Sequence, residues 1–231
     1  MIPKKPRMAD QAVRFALIQS ALPPAPARIC ELGVGGGWQL HAFHEQGYDV
    51  FGCDVSLKDF PTDSPLRNQV KEISGSRLPF PDDYFDAAYS CDVLEHVHPA
   101  ERPAFIAELI RVTKPGGSVA LTAFFRNTFS FRLWGVWHLL CKGTLPQWYT
   151  EHLTIPSPSE DETTAFFSQR LTNFRKVRYQ RALNLLVMWI QVMAPRQRHL
   201  QKLFDLPAKL IPTFDFIGRT TSVFFTGTKP K

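Results

Sequence analysis

The chain has 231 residues, 44% of them apolar and 21% charged, with a formal net charge of +6, a composition that suits one soluble globular domain and excludes a disordered or collagen-like chain. Its four cysteines (Cys30, Cys53, Cys91 and Cys141) are scattered without CxxC spacing, which argues against a disulfide framework and against a cysteine zinc site. The longest apolar run, Ala182–Ala194, has 13 residues and contains Asn184 and Gln191, short of the ~20 that a spanning helix needs.

In chain order, Met8–Ala21 has apolar positions that suit a helix with a broad apolar face. Arg14 interrupts its apolar core, so no secretory leader is expected there, and the Pro-rich stretch 22–26 stops it. Arg28–Leu32 is a short apolar strand running into Gly33-Val-Gly-Gly-Gly37. Trp38–Gln46 then reads as a helix ended by Gly47, and Tyr48–Val55 as a second strand. Gln69–Ile73 and Tyr84–Ser90 are further strands, Pro99–Val112 a helix, Lys114–Gly117 a turn and Ser118–Phe125 a buried strand. Beyond it, Arg126–Lys142 is aromatic-rich and helical in pattern, and Gln147–Pro158 reads as a loop. Ser159–Leu171 is a helix opened by a capping box, with Ser159 at the cap and Glu162 three residues on. Phe174–Arg181 is a strand, Leu183–Phe204 one or two helices, and Thr220–Thr228 a final strand. Strands and helices alternate with few hairpin signals, which predicts an α/β fold: a doubly wound, mostly parallel, Rossmann-like sheet with helices on both faces. Ligands of such folds bind at the strand C-terminal ends, where the strand order reverses.

The glycine loop sits at such a strand-to-helix junction, where positive φ and close backbone approach to a ligand are useful. A dinucleotide-binding GxGxxG fingerprint fails, because the sixth position from Gly33 is Trp38. The arrangement Glu31-x-Gly33-x-Gly35-x-Gly37 instead resembles motif I of the class I S-adenosylmethionine-dependent methyltransferases. The resemblance implies that Glu31, Gly33, Gly35 and Gly37 hold the methionine and ribose of that cofactor. Asp54 ends the second strand, 21 residues after Gly33, where a carboxylate can accept both ribose hydroxyls.

Three more segments match the family in order. Leu78-Pro-Phe-Pro-Asp-Asp-Tyr-Phe-Asp86 resembles its approach to the fourth strand. Ser90-Cys-Asp92-Val-Leu-Glu95-His96-Val97 resembles the segment after that strand, which places Asp92 among the cofactor-binding residues. Leu109–Gly117 resembles its helix and turn before the fifth strand. The resemblance, nearest to the ubiquinone- and menaquinone-biosynthesis branch, implies a seven-stranded sheet and a transferase that turns S-adenosylmethionine into S-adenosylhomocysteine. One departure concerns the adenine contact: Ser74 stands where the family has an acidic residue, and an uncharged acceptor makes a bond about half as strong as a charge-assisted one. Glu72 is the alternative for that contact.

Methyl transfer asks mainly for alignment, worth up to ~7–11 kcal/mol in well-oriented cases. A hydroxyl or carbon-acid acceptor also needs a general base. His96 is the first candidate, since it follows the fourth strand at the ligand edge, and His152 the second; His98, Tyr149 and Glu151 rank behind. The pairs His41/His44 and His96/His98 lack cysteine partners or an HExxH context, so no metal is expected.

Residues 1–125 carry a charge balance of −3 and residues 126–231 one of +9. Nine Lys and Arg against Asp205 alone lie between Arg170 and Lys209 and flank the run Ala182–Ala194. That pattern fits either a core or lid helix or a peripheral contact with an anionic membrane from the cytoplasmic side. The expected organisation is a single domain, with 8–125 holding the cofactor and 126–231, including a helical insertion or lid, holding a small-molecule acceptor of lipophilic or lipid-linked kind. Nucleic acid is not expected as partner, because no (Asn/Asp/Ser)-Pro-Pro-(Tyr/Phe) run follows the fourth strand. A nucleic-acid methyltransferase with a basic phosphate track and a non-catalytic binding protein are the rival readings.

Overall fold

A computed structural model describes residues 9–75, 77–125, 142–180 and 222–231, with isolated positions between 132 and 140. The helical expectation for 126–142 falls largely outside the described residues, and that for 183–204 wholly so.

Seven strands form one sheet: β1 (Arg28–Leu32), β2 (Asp49–Asp54), β3 (Val70–Glu72), β4 (Phe85–Cys91), β5 (Thr113–Phe124), β6 (Thr172–Gln180) and β7 (Ser222–Thr228). Their order is β3-β2-β1-β4-β5-β7-β6. The β1–β5 pairings are parallel, while β7 runs antiparallel to both β5 and β6. The order reverses between β1 and β4, and that crevice, at the C-terminal edge, is where a ligand meets loops from both halves of the sheet.

The helices α1 (Ala9–Ala21), α2 (Trp38–Glu45), α3 (Arg102–Val112), α4 (Gln147–Thr154) and α5 (Glu160–Arg170) cover it. The two-residue period of a strand sorts its side chains into two cores. Ile29, Val50, Ala87, Tyr89, Ala120 and Phe224 pack with Ile18 of α1 and Leu40 and Phe43 of α2. On the other face Cys30, Leu32, Ala88, Leu121 and Phe225 meet Phe105, Leu109 and Val112 of α3 and Phe167 of α5. Near-continuous apolar strands are what a sheet buried on both faces requires.

Two expectations need correction. Lys114–Gly117 is not a free turn but the irregular start of β5. Gly116 takes φ 82, its N–H donates to Lys229 O, and Lys229 N–H returns to Gly117 O; pairing with the distant C-terminal segment holds this bulged stretch within the strand. Gln147–Pro158 is not all loop, since α4 occupies its first eight residues. Tyr149, buried at 3% exposure, anchors that helix, and a Gln147–Glu151 bond supports its outer face. The capping box of α5 forms as read, with Ser159 Oγ accepting from Glu162 N–H at 3.2 Å.

Candidate functional site

The loop between β1 and α2 is held open by its glycines. Gly33, Gly35 and Gly37 have φ of 89, 48 and 73, a region costly for residues with a Cβ. The three differ in surroundings. A Cβ on Gly33 would overlap Val93, and one on Gly37 would stand 2.8 Å from Phe60 Cδ2 and closer still to Cε2, whereas one on Gly35 would meet nothing within 4 Å. Gly33 and Gly37 therefore shape the loop from beneath, while Gly35 presents bare backbone to open space. The loop is tied to β2 by Gly33 N–H donating to Cys53 O at 2.7 Å.

Asp54, at the end of β2, accepts from Gly35 N–H at 2.8 Å and from Ser56 N–H at 3.2 Å. It is half-buried, with its carboxylate directly beside the open glycine. Ser74 lies exposed after β3. Glu72 points elsewhere, its Oε2 accepting Leu57 N–H at 3.1 Å. Glu31 shares its sheet face with Ile29 because strand side chains alternate. It is therefore buried under the loop, at 3% exposure, and accepts from Tyr89 OH at 3.2 Å. Burial outweighs that bond and, with Asp54 nearby, lifts the Glu31 pKa from 4.5 to about 8.

After β4 the chain turns at Asp92, whose φ is 54. Asp92 Oδ1 accepts from Thr122 Oγ1 of β5 at 2.7 Å, and its Oδ2 is ion-paired with Arg14 of α1. The same arginine that interrupts the first apolar stretch thus ties the N-terminal helix to the crevice. Two buried polar atoms in this region, Gln39 Oε1 at the start of α2 and Tyr179 OH of β6, make no close, well-aligned hydrogen bond among the described residues. Tyr179 is surrounded by Cys91, Arg14, Thr122 and Glu95, and burial raises its pKa well above the ordinary phenol value.

The short turn Leu94–His96 follows. Glu95 is buried at 6% exposure; its carboxyl accepts from its own backbone and from that of Phe124, and burial raises its pKa to about 7. Its Oε2 has no hydrogen-bond partner among the described residues. His96 meets His152 of α4 edge to face, ring centroids 4.6 Å apart, and Phe124 packs on His152 at 5.8 Å. Partial burial first, and His152 beside it second, lower the His96 pKa. The two histidines proposed as bases from sequence, 56 positions apart, are neighbours in space. The remaining candidates serve locally: His98 Nδ1 accepts Ala100 N–H at 3.4 Å, Tyr149 is buried against Gly135, and Glu151 bonds Gln147.

Residues 30–121 match the family model described as a methyltransferase domain. Among curated relatives, demethylmenaquinone methyltransferase of Renibacterium salmoninarum is 31% identical over 116 residues, 49% of this chain and 48% of that protein. Norajmaline N-methyltransferase of Rauvolfia serpentina is 29% identical over 133 residues, 54% of this chain and 45% of that protein. The chain thus spans about half the length of the curated relatives it matches. The solved structure of Haemonchus contortus phosphoethanolamine N-methyltransferase 2 with S-adenosyl-L-methionine superposes with a TM-score of 0.63 at 17% identity, covering 95% of this chain and 53% of that one; at that identity the likeness bears on the fold.

Within the matched residues the segment 78–86 has a structural explanation. Arg111 of α3 donates to Phe80 O at 2.9 Å, Leu78 O at 3.1 Å, Asp82 Oδ1 at 2.6 Å and both oxygens of Glu108 at 2.7 Å. Glu108 in turn accepts Leu78 N–H at 2.8 Å. The bond to Glu108, above the others, favours the charged guanidinium, and this latch sets the approach to β4. Sequence reading missed Arg14, Gln39, Glu95, Thr122 and Tyr179 at the crevice. Only Arg14 had a signal, as a charge inside an apolar helical stretch; the others meet through topology.

Proposed function

We propose that this protein transfers a methyl group from S-adenosylmethionine to a small-molecule acceptor and releases S-adenosylhomocysteine. The observation that carries this reading is the open backbone of Gly35 beside the Asp54 carboxylate at the sheet's switch point. A ribose needs an acceptor pair there, and a bulky methionine needs a loop without side chains. Gly33, Gly35 and Gly37 give the loop its shape, Asp54 takes the ribose hydroxyls, and Ser74 takes the adenine edge. Glu31, Gln39 and Asp92 offer acceptors to the ammonium of the methionine end. The cofactor supplies an electrophilic methyl on a sulfonium; the chain supplies alignment and a place for the acceptor's proton, for which His96 and His152 stand at the same edge.

The acceptor is lipophilic or lipid-linked. Support comes from the likeness to a demethylmenaquinone methyltransferase and from the basic half, whose apolar run Ala182–Ala194 is flanked by cations. Residues 8–125 form the cofactor half and 126–231 the acceptor half. No described helix is long and apolar enough to cross a membrane; the cations flanking the apolar run suit peripheral contact with an anionic cytoplasmic face. Calorimetric titration with S-adenosylmethionine tests the core of the proposal. Saturable binding by the wild type, weakened at least tenfold in Asp54→Ala and in Gly35→Val, is expected; no binding by folded wild type overturns it.

A further inference from the structure

Glu95, His96 and His152 form a cluster that the alignment of a methyl donor does not require. One donor atom from each lies within 4.8 Å of the other two. The three come from two separately fixed elements. The turn bearing Glu95 and His96 is closed by His96 N–H donating to Val93 O at 2.9 Å, and His152 is in the last turn of α4, which buried Tyr149 pins to the domain. An independent observation points to a ligand here: Glu95 is only 6% exposed, yet its Oε2 has no hydrogen-bond partner among the described residues. Buried carboxylate oxygens are normally satisfied, and a lone one calls for an explanation.

We propose that Glu95, His96 and His152 bind one divalent transition-metal ion, Zn²⁺ or a first-row neighbour. Two imidazole nitrogens and one carboxylate oxygen suit such borderline ions, whereas Mg²⁺ and Ca²⁺ take shells of oxygen. A tetrahedral shell with bonds near 2.1 Å separates donors by about 3.4 Å, so the cluster closes by a little over 1 Å on loading, within reach of side-chain rotation by the solvent-facing His96 and half-buried His152. Three protein ligands leave a coordination position open. The histidine spacing in sequence gave no sign of this, because the partner of His96 is His152 rather than its near neighbour His98.

The role of the ion rests on the methyltransferase reading above. An acceptor hydroxyl at the open position becomes more acidic. Its proton leaves to water, its oxygen forms the new bond to the methyl carbon, and the carbon–sulfur bond breaks with its electron pair remaining on sulfur. Arg14 and Arg102 both act on Glu95 at longer range, which tempers affinity for a cation without removing the site.

The test titrates chelator-stripped full-length protein with Zn²⁺ by calorimetry and with Co²⁺ by visible absorption. One ion per chain is expected, with affinity at least tenfold weaker in Glu95→Gln and in His152→Ala; His152 lies on a surface helix, so its variant keeps the fold if Glu95→Gln does not. Wild type that takes up no ion, or variants that bind it undiminished, overturn the proposal. S-adenosylmethionine titrations on the same samples separate the two readings. Cofactor binding without metal binding defeats only the metal site, and metal binding without cofactor binding defeats only the transferase.

Discussion

Replacing Glu31 with glutamine removes a titration that the fold holds far from its ordinary place. In the folded protein burial lifts the Glu31 pKa from 4.5 to about 8, so between those values folding takes up a proton. Stability tied to this group is whole below pH 4.5 and is lost as pH rises toward 8, at roughly 1.4 kcal/mol per unit; above 8 the loss levels off. Between pH 6 and pH 9 the wild type should therefore lose about 2.5 kcal/mol that Glu31→Gln does not lose. The amide oxygen of glutamine still accepts the Tyr89 hydroxyl, so below pH 4.5 the two proteins should be close in stability, and by pH 6 the wild type should already be about 2 kcal/mol the less stable. Other titrating groups are common to both and cancel in the difference. Urea unfolding at unit pH steps gives the free energies directly. Thermal melts should diverge by roughly 5–10 °C across the range, at 2–4 °C per kcal/mol for a chain of this size. Parallel pH profiles for the two proteins would show that Glu31 ionises without penalty, and the buried, desolvated carboxyl argued above would be wrong.

Gly37→Ala and Gly35→Ala should separate the loop's scaffold from its binding surface. The first drives a Cβ into Phe60 at positive φ and should cost roughly 2–4 kcal/mol in urea melts; the second meets open space and should cost about 1 kcal/mol while weakening cofactor binding. Equal stability losses would contradict the different surroundings of the two glycines. Arg111→Ala removes the bidentate partner of Glu108 and leaves it only the more distant Arg77, 4.0 Å away, and should destabilise by about 2 kcal/mol; a loss under 0.5 kcal/mol on unfolding would refute the latch. Asp54→Asn keeps the shape but weakens an acceptor of hydroxyl protons, so calorimetry should show cofactor affinity down about tenfold, a single charge-assisted bond's worth; unchanged affinity would remove Asp54 from the ribose role.

Much of the fold was legible because its signals are local. Arg28–Leu32 was read to the residue, the other strands to within two positions apart from the start of β5, read five residues late, and the Ser159 cap to its hydrogen bond. These depend on apolar runs, glycine φ and capping chemistry, which act over a few residues. The misread segments are those whose conformation depends on distant partners. Lys114–Gly117 carries a turn-like sequence yet is held at the start of β5 by pairing with Lys229, and Gln147–Thr154 becomes helical around a buried tyrosine that sequence gave no reason to bury.

The candidate site divides the same way. The glycine loop and the strand-end Asp54 were found from spacing, since one loop and one strand end can be counted along the chain. The meeting of Asp92 with Arg14 and with Thr122, and of His96 with His152, could not be counted, because those pairs lie 30 to 78 positions apart. Sequence by itself determined the alternation of strands and helices, the bare loop and the carboxylate beside it, because backbone sterics and side-chain period are local properties. Tertiary structure alone decided that Glu31 is buried rather than open, and that Glu95 joins two histidines. Desolvation and convergence of charges arise only when the sheet order β2-β1-β4-β5 brings separate strand ends to one edge.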